Sequence, residues 1–337
     1  MKGRTPRARL QAPILTPSKI WPSYQSVRLG YQTNTLELVG SATRLDVAQD
    51  ATVSVVACVR NEMFMLPHFL AHYRALGVES FLIADNGSDD GTLEFLADQP
   101  DVALFSVDTS YSLSRYGVAW QQALMSNFRV GRWSLVADVD ELLVWQTPQR
   151  ESLPQLLAGP VFEGADAARV FMLDMYPKGS LSQADFTSGD PFTETGYVEQ
   201  APFLTNWPGR GPYSNARTWT SALRHRLIPE ARPVLFVAQK LALLRYHPFM
   251  RFSDGLHYGA GMKVADRELL FGHFKYNADF FRKVQEEVAR GEHFNDAEEY
   301  RKYLARLSEG REVIFDAAVS VPWTDSAFVQ ARLDRSD

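Results

Sequence analysis

Asp138-Val139-Asp140-Glu141 follows directly on the apolar run Leu135-Val136-Ala137. Side chains alternate across an extended chain, so Asp138 and Asp140 share a face at the strand end. Two hard oxygen ligands there suit Mg²⁺ or Mn²⁺ held jointly with a substrate's phosphates. The same residues also read as a solvated acidic turn, or as the acidic first turn of a helix. Two more polar clusters end apolar runs: Arg60-Asn61-Glu62, and Asp85-Asn86-Gly87-Ser88-Asp89-Asp90-Gly91-Thr92. Most of the second is turn chemistry, because Asn-Gly and Asp-Gly tolerate positive φ and Ser or Asp caps a following helix. Asp85, at the strand end itself, can accept hydrogen bonds from a base or ribose.

Among the histidines, His68 and His72 have zinc spacing, but Phe69 stands where a metalloprotease helix carries Glu, so both read as members of an amphipathic helix. His247, His257 and His273 lie late in the chain, the last within Gly272-His273-Phe274-Lys275-Tyr276. A cation held by two aspartates and a diphosphate has open positions that a neutral imidazole can fill, His273 ahead of His257. Cys58, the single cysteine, sits inside an apolar segment and reads as a small buried hydrophobe. No Gly-Lys-Ser/Thr phosphate loop and no Gly-x-Gly-x-x-Gly follows a strand.

The elements that position these residues are legible between 52 and 145. Val53–Val59, Ser80–Ala84, Val102–Val107 and Trp133–Ala137 read as strands, separated by helices over Met65–Leu76, Gly91–Ala97 and Gly117–Phe128. This repeated β-α-β order predicts an α/β fold: a Rossmann-like, mostly parallel sheet flanked by helices, with ligands gathering beyond the carboxyl ends of the strands. All three polar clusters fall at that edge, which favours a binding site over three unrelated turns. Ala168–Leu173 and Lys240–Tyr246 read as further strands. Between them, Tyr197, Phe203, Trp207, Tyr213 and Trp219 suit sugar stacking as well as packing. Two C-terminal helices follow, one capped by Asn277 and ending at Arg290 with Phe280, Phe281, Val284 and Val288 inward, the other over Asp296–Leu307.

With 337 residues, 45% hydrophobic and 22% charged, the chain has the composition of a soluble globular protein with a sizeable core. No apolar run is long enough to cross a bilayer, and no apolar segment follows Lys2, Arg4, Arg7 and Arg9, so a cytoplasmic location is expected. Net charge of −5 argues against nucleic-acid binding, yet the first acid is Glu37. The basic arm ahead of it suits peripheral contact with the inner face of a membrane as well as plain solvation. The expected organisation is an arm over 1–50, an α/β domain over 51–275 in two halves (51–145 and 146–275), and a helical extension over 276–337.

Val59-Arg60-Asn61-Glu62, the Asp85–Thr92 cluster and Asp138-Val139-Asp140-Glu141-Leu142-Leu143-Val144, in this order and spacing, resemble the family 2 glycosyltransferases of GT-A fold, in particular a bacterial subgroup with a late His-Phe-Lys-Tyr. The resemblance covers 52–145, is looser over 240–305 and is absent before 50. It implies a nucleotide-diphosphate-sugar donor bound by Arg60, Asn61, Glu62, Asp85, Asn86 and Asp138, with Arg115 and Lys275 adding positive charge. It further implies Mn²⁺ or Mg²⁺ at Asp138, Asp140 and His273, a glycan, glycolipid or protein acceptor, and inversion at the anomeric carbon. Inversion needs a carboxylate to take the acceptor's proton. The family often carries it in a Glu-Asp dipeptide, which this chain lacks. Asp174, at the end of Ala168–Leu173, then becomes the first choice, with Asp190 and Glu194 behind it. Two other functions are compatible with the residues: a non-catalytic carbohydrate-binding protein on the same fold, and a metal-dependent phosphate-ester hydrolase.

Overall fold

The computed structural model describes residues 7–8, 34–187, 189–208 and 217–333. Ten strands form one sheet. In chain order they are β1 (Arg7–Ala8), β2 (Leu36–Val39), β3 (Val53–Val59), β4 (Ser80–Asp85), β5 (Val102–Val107), β6 (Trp133–Val136), β7 (Glu141–Val144), β8 (Ala167–Asp174), β9 (Gln239–Arg245) and β10 (Leu269–His273). Their spatial order is β1-β2-β5-β4-β3-β6-β9-β8-β10-β7. β3, β4, β5 and β6 run parallel, as do β8 and β10, while β9 lies antiparallel between β6 and β8. β2 and β7 also run against their neighbours. The sheet is therefore mostly parallel and lies between helices, as the β-α-β order requires. The reversal of β9 has a positional effect: its first residues, Gln239 and Lys240, lie at the edge where β3, β4 and β6 end.

Strand residues alternate between two cores. Val53, Val55, Ala57 and Val59 join Phe81 and Ile83 under Phe69, Leu70 and Tyr73 of helix α2 (Leu66–Ala75). Val56, Leu82, Ala84 and Phe105 face Trp120, Ala123 and Leu124 of α4 (Val118–Phe128), together with Leu45 and Ala48 of α1 (Thr43–Asp50). The near-continuous apolar runs of β3–β6 thus reflect burial on both faces. α3 (Thr92–Ala97) completes the crossover between β4 and β5. Gly117 enters α4 with φ of 82°, and a Cβ there would lie 3.2 Å from Cys58 Sγ, so both backbone conformation and space call for glycine. Residues 34–50, read above with the arm, contribute β2 and α1 to this domain. The remaining arm lies outside the described residues apart from the β1 backbone, as does Tyr213; the Trp207 side chain is likewise not described. No helix among the described residues is long and apolar enough to cross a membrane.

A third core joins Tyr276, Phe280, Val284, Tyr303 and Leu307 to Leu223 and Leu227 of α5 (Ala222–Leu227). It seats the C-terminal pair α6 (Phe280–Arg290) and α7 (Phe294–Ser308). Two details differ from the sequence expectation. Asp279 occupies the N-cap position of α6, and Asn277 instead accepts a hydrogen bond from the Asp279 N–H at 2.8 Å. Phe281 is 44% exposed, since burial selects the 280/284/287 stripe rather than both adjacent phenylalanines.

Candidate active site

A cleft of about 550 Å³ opens at the carboxyl edge of the parallel strands. It is lined by Arg60, Glu62, Asn86, Asp138, Asp140, His273 and Lys275, all named from the sequence, and by Arg224, Lys240, His257, Lys283, Arg290 and Glu299, whose participation the sequence did not reveal beyond a place for His257 as an alternative ligand.

The loops after β3 and β4 hold each other. The Ser88 hydroxyl accepts from the Asn61 N–H at 3.0 Å, the Asn61 carbonyl oxygen of the side chain accepts from Asp89 N–H at 2.9 Å, and Arg60 donates to the Gly87 carbonyl at 2.8 Å. Asp85 is buried and accepts from the Gly87 and Ser88 N–H groups, each at 3.1 Å, and from the Ser88 hydroxyl at 2.5 Å. The expectation that Asp85 faces a nucleoside is not met: its oxygens close its own turn and it does not line the cleft. Asn61, similarly, organises the loop and stands outside the lining.

The acidic segment crosses from β6 to β7 at the centre. The Asp138 N–H donates to Glu141 Oε2 at 2.9 Å, and buried Lys240 Nζ lies 2.7 Å from Glu141 Oε1 while pairing with Asp138. Burial raises Glu141 above its ordinary value, opposed by Lys240. Asp138 keeps 51% of its side chain exposed, so it still faces the cleft. The Asp140 carbonyl accepts from the Phe274 N–H at 2.8 Å, which draws the end of β10 alongside. His273 Nε2 then lies 3.5 Å from Asp140 Oδ2. Burial acts to raise Asp140, but His273, Lys283 and Lys240 outweigh it and hold the carboxyl well below the usual range.

Asp174, the expected base, has a different place. Its oxygens receive Arg224 at 2.9 and 2.8 Å, Ser221 Oγ at 2.5 Å and His273 Nδ1 at 2.5 Å. Against the effect of burial, Arg224 and His273 hold it far below the carboxylate range, so it has neither basicity nor a free lone pair to offer. It orients the imidazole instead, as carboxylates behind metal-binding histidines do. The two carboxylates in turn raise His273 to about 9 despite burial.

The C-terminal helices close the side of the cleft next to the loops after β3 and β4. Lys283 Nζ lies 2.5 Å from Glu62 Oε1, and Arg290 donates to the Asn86 side-chain carbonyl while its guanidinium lies 5.6 Å from the Tyr111 ring centre. Burial raises Glu62 to about 7, with Lys283 opposing. Lys275 pairs with Glu299 at 2.9 Å and lies 4.6 Å from the Tyr300 ring centre, and burial lowers its pKa. Arg115 is a correction: it donates to the Phe252 carbonyl at 3.0 Å and pairs with Asp254 at 2.9 Å, anchoring a loop rather than lining the cleft. Glu194 also lies outside the lining, in the short helix Pro191–Glu194 that Asp190 caps. Of the aromatics suited to stacking, Phe203 packs 5.1 Å from Phe171 and Tyr197 5.0 Å from Phe315, as core contacts.

A ready-made three-ligand cage from Asp138, Asp140 and His273 is not present, and no group of three or more His, Cys, Asp and Glu is arranged as one among the described residues. Asp140 and His273 do fit one divalent cation, which on binding would displace the proton that the two carboxylates hold on His273. They offer an oxygen and an imidazole nitrogen 3.5 Å apart on the cleft wall, with the other ring nitrogen directed at Asp174.

No protein-family model matches the chain, and no curated protein sequence matches it significantly. Among solved structures, glucosyl-3-phosphoglycerate synthase from Mycobacterium tuberculosis, in complex with Mn²⁺, UDP and phosphoglyceric acid, is 19% identical, covering 40% of this chain and 48% of that one with a TM-score of 0.25. A mycobacterial protein is 18% identical, covering 40% of this chain and 45% of that one with a TM-score of 0.26. The chain therefore spans about half the length of these structures, and scores this low say nothing about activity.

Proposed function

We propose that the chain is a glycosyltransferase of GT-A, family 2 type. It moves a sugar from a nucleotide-diphosphate-sugar to a glycan, glycolipid or protein hydroxyl, with inversion and with a divalent cation at Asp140 and His273. The observation that carries this reading is the pairing of Asp140 with His273 at the centre of a 550 Å³ cleft, between a nucleotide-side wall (Arg60, Asn86, Tyr111) and a wall from β8 and β9. When bound, Mn²⁺ or Mg²⁺ supplies Lewis-acid stabilisation of the departing diphosphate. Asp140 and His273 would hold it, with exposed Asp138 beside them. Lys283, reaching Glu62 and electrostatically coupled to Asp140, is placed to add fixed positive charge for the diphosphate. Asp174 and Arg224 keep His273 in place behind the site.

A thermal-shift panel of UDP, GDP, CDP and dTDP, each with Mn²⁺, Mg²⁺ or EDTA, tests this. A ligand at ~100 times its Kd stabilises by roughly 2.7 kcal/mol. One nucleotide should raise Tm in the presence of metal and lose the effect with EDTA. Silence across the whole panel would sink the proposal.

A further inference from the structure

Inversion needs a group to take the acceptor's proton, and the cleft's carboxylates are engaged. Glu62 faces Lys283, Asp138 faces Lys240, Asp140 faces His273, Asp254 faces Arg115, Glu287 faces His293 and Glu299 faces Lys275. Among the lining histidines, His273 is held at both nitrogens and His293 Nε2 lies 3.0 Å from Glu287. His257 differs. Its Nδ1 lies 2.8 Å from the Gln239 carbonyl oxygen. A carbonyl only accepts, so Nδ1 carries the proton, and in the neutral ring the lone pair belongs to Nε2. Nε2 makes no hydrogen bond among the described residues, and the ring lines the cleft.

The loop that presents this ring is built for it. Ser253 and Tyr258 close it, with Ser253 N–H to the Tyr258 carbonyl at 2.9 Å and Tyr258 N–H to Ser253 Oγ at 2.9 Å, and Arg115 pins it through Phe252 and Asp254. Gly255 sits at φ 65°, where an added Cβ would come within 2.8 Å of His257 Nε2, so the glycine makes room for the nitrogen. The anchor at Gln239 begins β9, the strand adjoining β6, whose end leads to Asp138. His257 therefore stands at the start of β9, within electrostatic reach of Lys240 and Asp138.

We propose that His257 Nε2 is the general base of the transfer, an inference that rests on the glycosyltransferase reading above. The acceptor oxygen bonds to the anomeric carbon, and the bond from that carbon to the diphosphate breaks with its electron pair leaving on the diphosphate. The hydroxyl proton passes to Nε2, and the resulting imidazolium returns it to water through the open cleft. Burial pushes His257 down to about 4 against the pull of its bond to the Gln239 carbonyl and of Asp138, with Lys240 and Arg224 nearby lowering it further, so the ring is neutral and able to accept at pH 7. That places it in the range of the carboxylates that perform this task elsewhere.

The test uses His257→Asn in the full chain, because the Asn amide can still donate to the Gln239 carbonyl. With the nucleotide sugar and metal identified by the panel, release of nucleoside diphosphate should fall by about 10²-fold or more, with donor KM within about threefold of wild type and the nucleotide–Mn²⁺ thermal shift intact. Azide, an anion that needs no deprotonation, should restore donor cleavage in His257→Ala. Turnover of folded His257→Asn within threefold of wild type would overturn the assignment, as would a loss seen only in donor KM. Should His257→Asn fail to fold, Gly255→Ala, which displaces Nε2 and leaves the ring intact, must lower kcat in the same way. A wild-type protein that neither binds a nucleotide nor cleaves a donor removes the glycosyltransferase reading itself. A wild type that does both beside an unimpaired His257→Asn removes only the base.

Discussion

On the β3–β4 side of the cleft, Asp85 bonds to residues two and three positions ahead and Asn61 to the loop beginning at Ser88, while Glu62 and Asn86 are met by Lys283 and Arg290 of α6. On the β8–β9–β10 side the polar groups form ion pairs across long stretches of chain, Asp138 with Lys240 and Asp174 with Arg224 and His273. The first arrangement, at the turns themselves, needs only the neighbouring strands β3 and β4. The second exists only when the whole sheet is assembled, and it carries charges that are buried and costly to leave alone. The turns after β3 and β4 are thus held locally, whereas the ion pairs at the centre depend on the global fold.

The largest effect should come from the centre. On the glycosyltransferase reading, Asp140→Ala removes a carboxylate proposed to hold the cation and should lower donor cleavage by about 10³-fold, with the circular dichroism spectrum unchanged. Activity surviving in that variant would show that catalysis does not pass through this pair. Next comes Asp174→Ala, which leaves Arg224 without its buried partner and His273 with Asp140 alone. Urea unfolding should report a loss of about 3–5 kcal/mol. A loss near 1 kcal/mol would mean that the long-range half is held no more tightly than the local half.

pH probes the same side. His257 is depressed to about 4 in the folded protein, below the ordinary imidazole value of 6.5. Between these values the unfolded chain binds more protons, so the contribution is complete above 6.5 and is lost as pH falls towards 4. At about 1.4 kcal/mol per pK unit the loss approaches roughly 3 kcal/mol. His72 and His225, also lowered by burial, act in the same direction. The comparison that isolates His257 is therefore wild type against His257→Asn from pH 7 to 5, in which the variant should lose less stability.

The contrast between the halves also explains what the sequence revealed. Periodicity and turn residues are local signals, so β3 to β6, α2 to α4 and the loops at their ends were legible from Val53 to Asp140. The site's cations were not, because Lys240, Arg224 and Lys283 lie in segments whose own patterns announce only a strand or a helix. Arg224 within Ala222–Leu227 reads as an ordinary basic residue in a helix. Asp174 ends β8 as its strand pattern suggests but stands behind the cleft wall, since a strand end says nothing of the arginine that neutralises the carboxylate. Arg115 shows the reverse: its charge suggested a phosphate, and the fold uses it to brace the His257 loop.

The smallest expected effect lies on the local side and bears on the one site residue whose place departs most from the family resemblance. Asp85→Ala deletes an acceptor of three hydrogen bonds inside its own turn, two from backbone and one from Ser88. The freed N–H groups lie near the surface of the loop, where water can replace part of what is lost, so about 1–2 kcal/mol of stability should go. Nucleotide binding should persist, because the carboxylate faces its turn and not the cleft. If the thermal shift with nucleotide and Mn²⁺ disappears in this variant while the protein stays folded, then the turn must open to release Asp85 onto the nucleoside. The frame on the β3–β4 side would then be a moving part of the site, and the division between a fixed wall and a charge-built centre would fail.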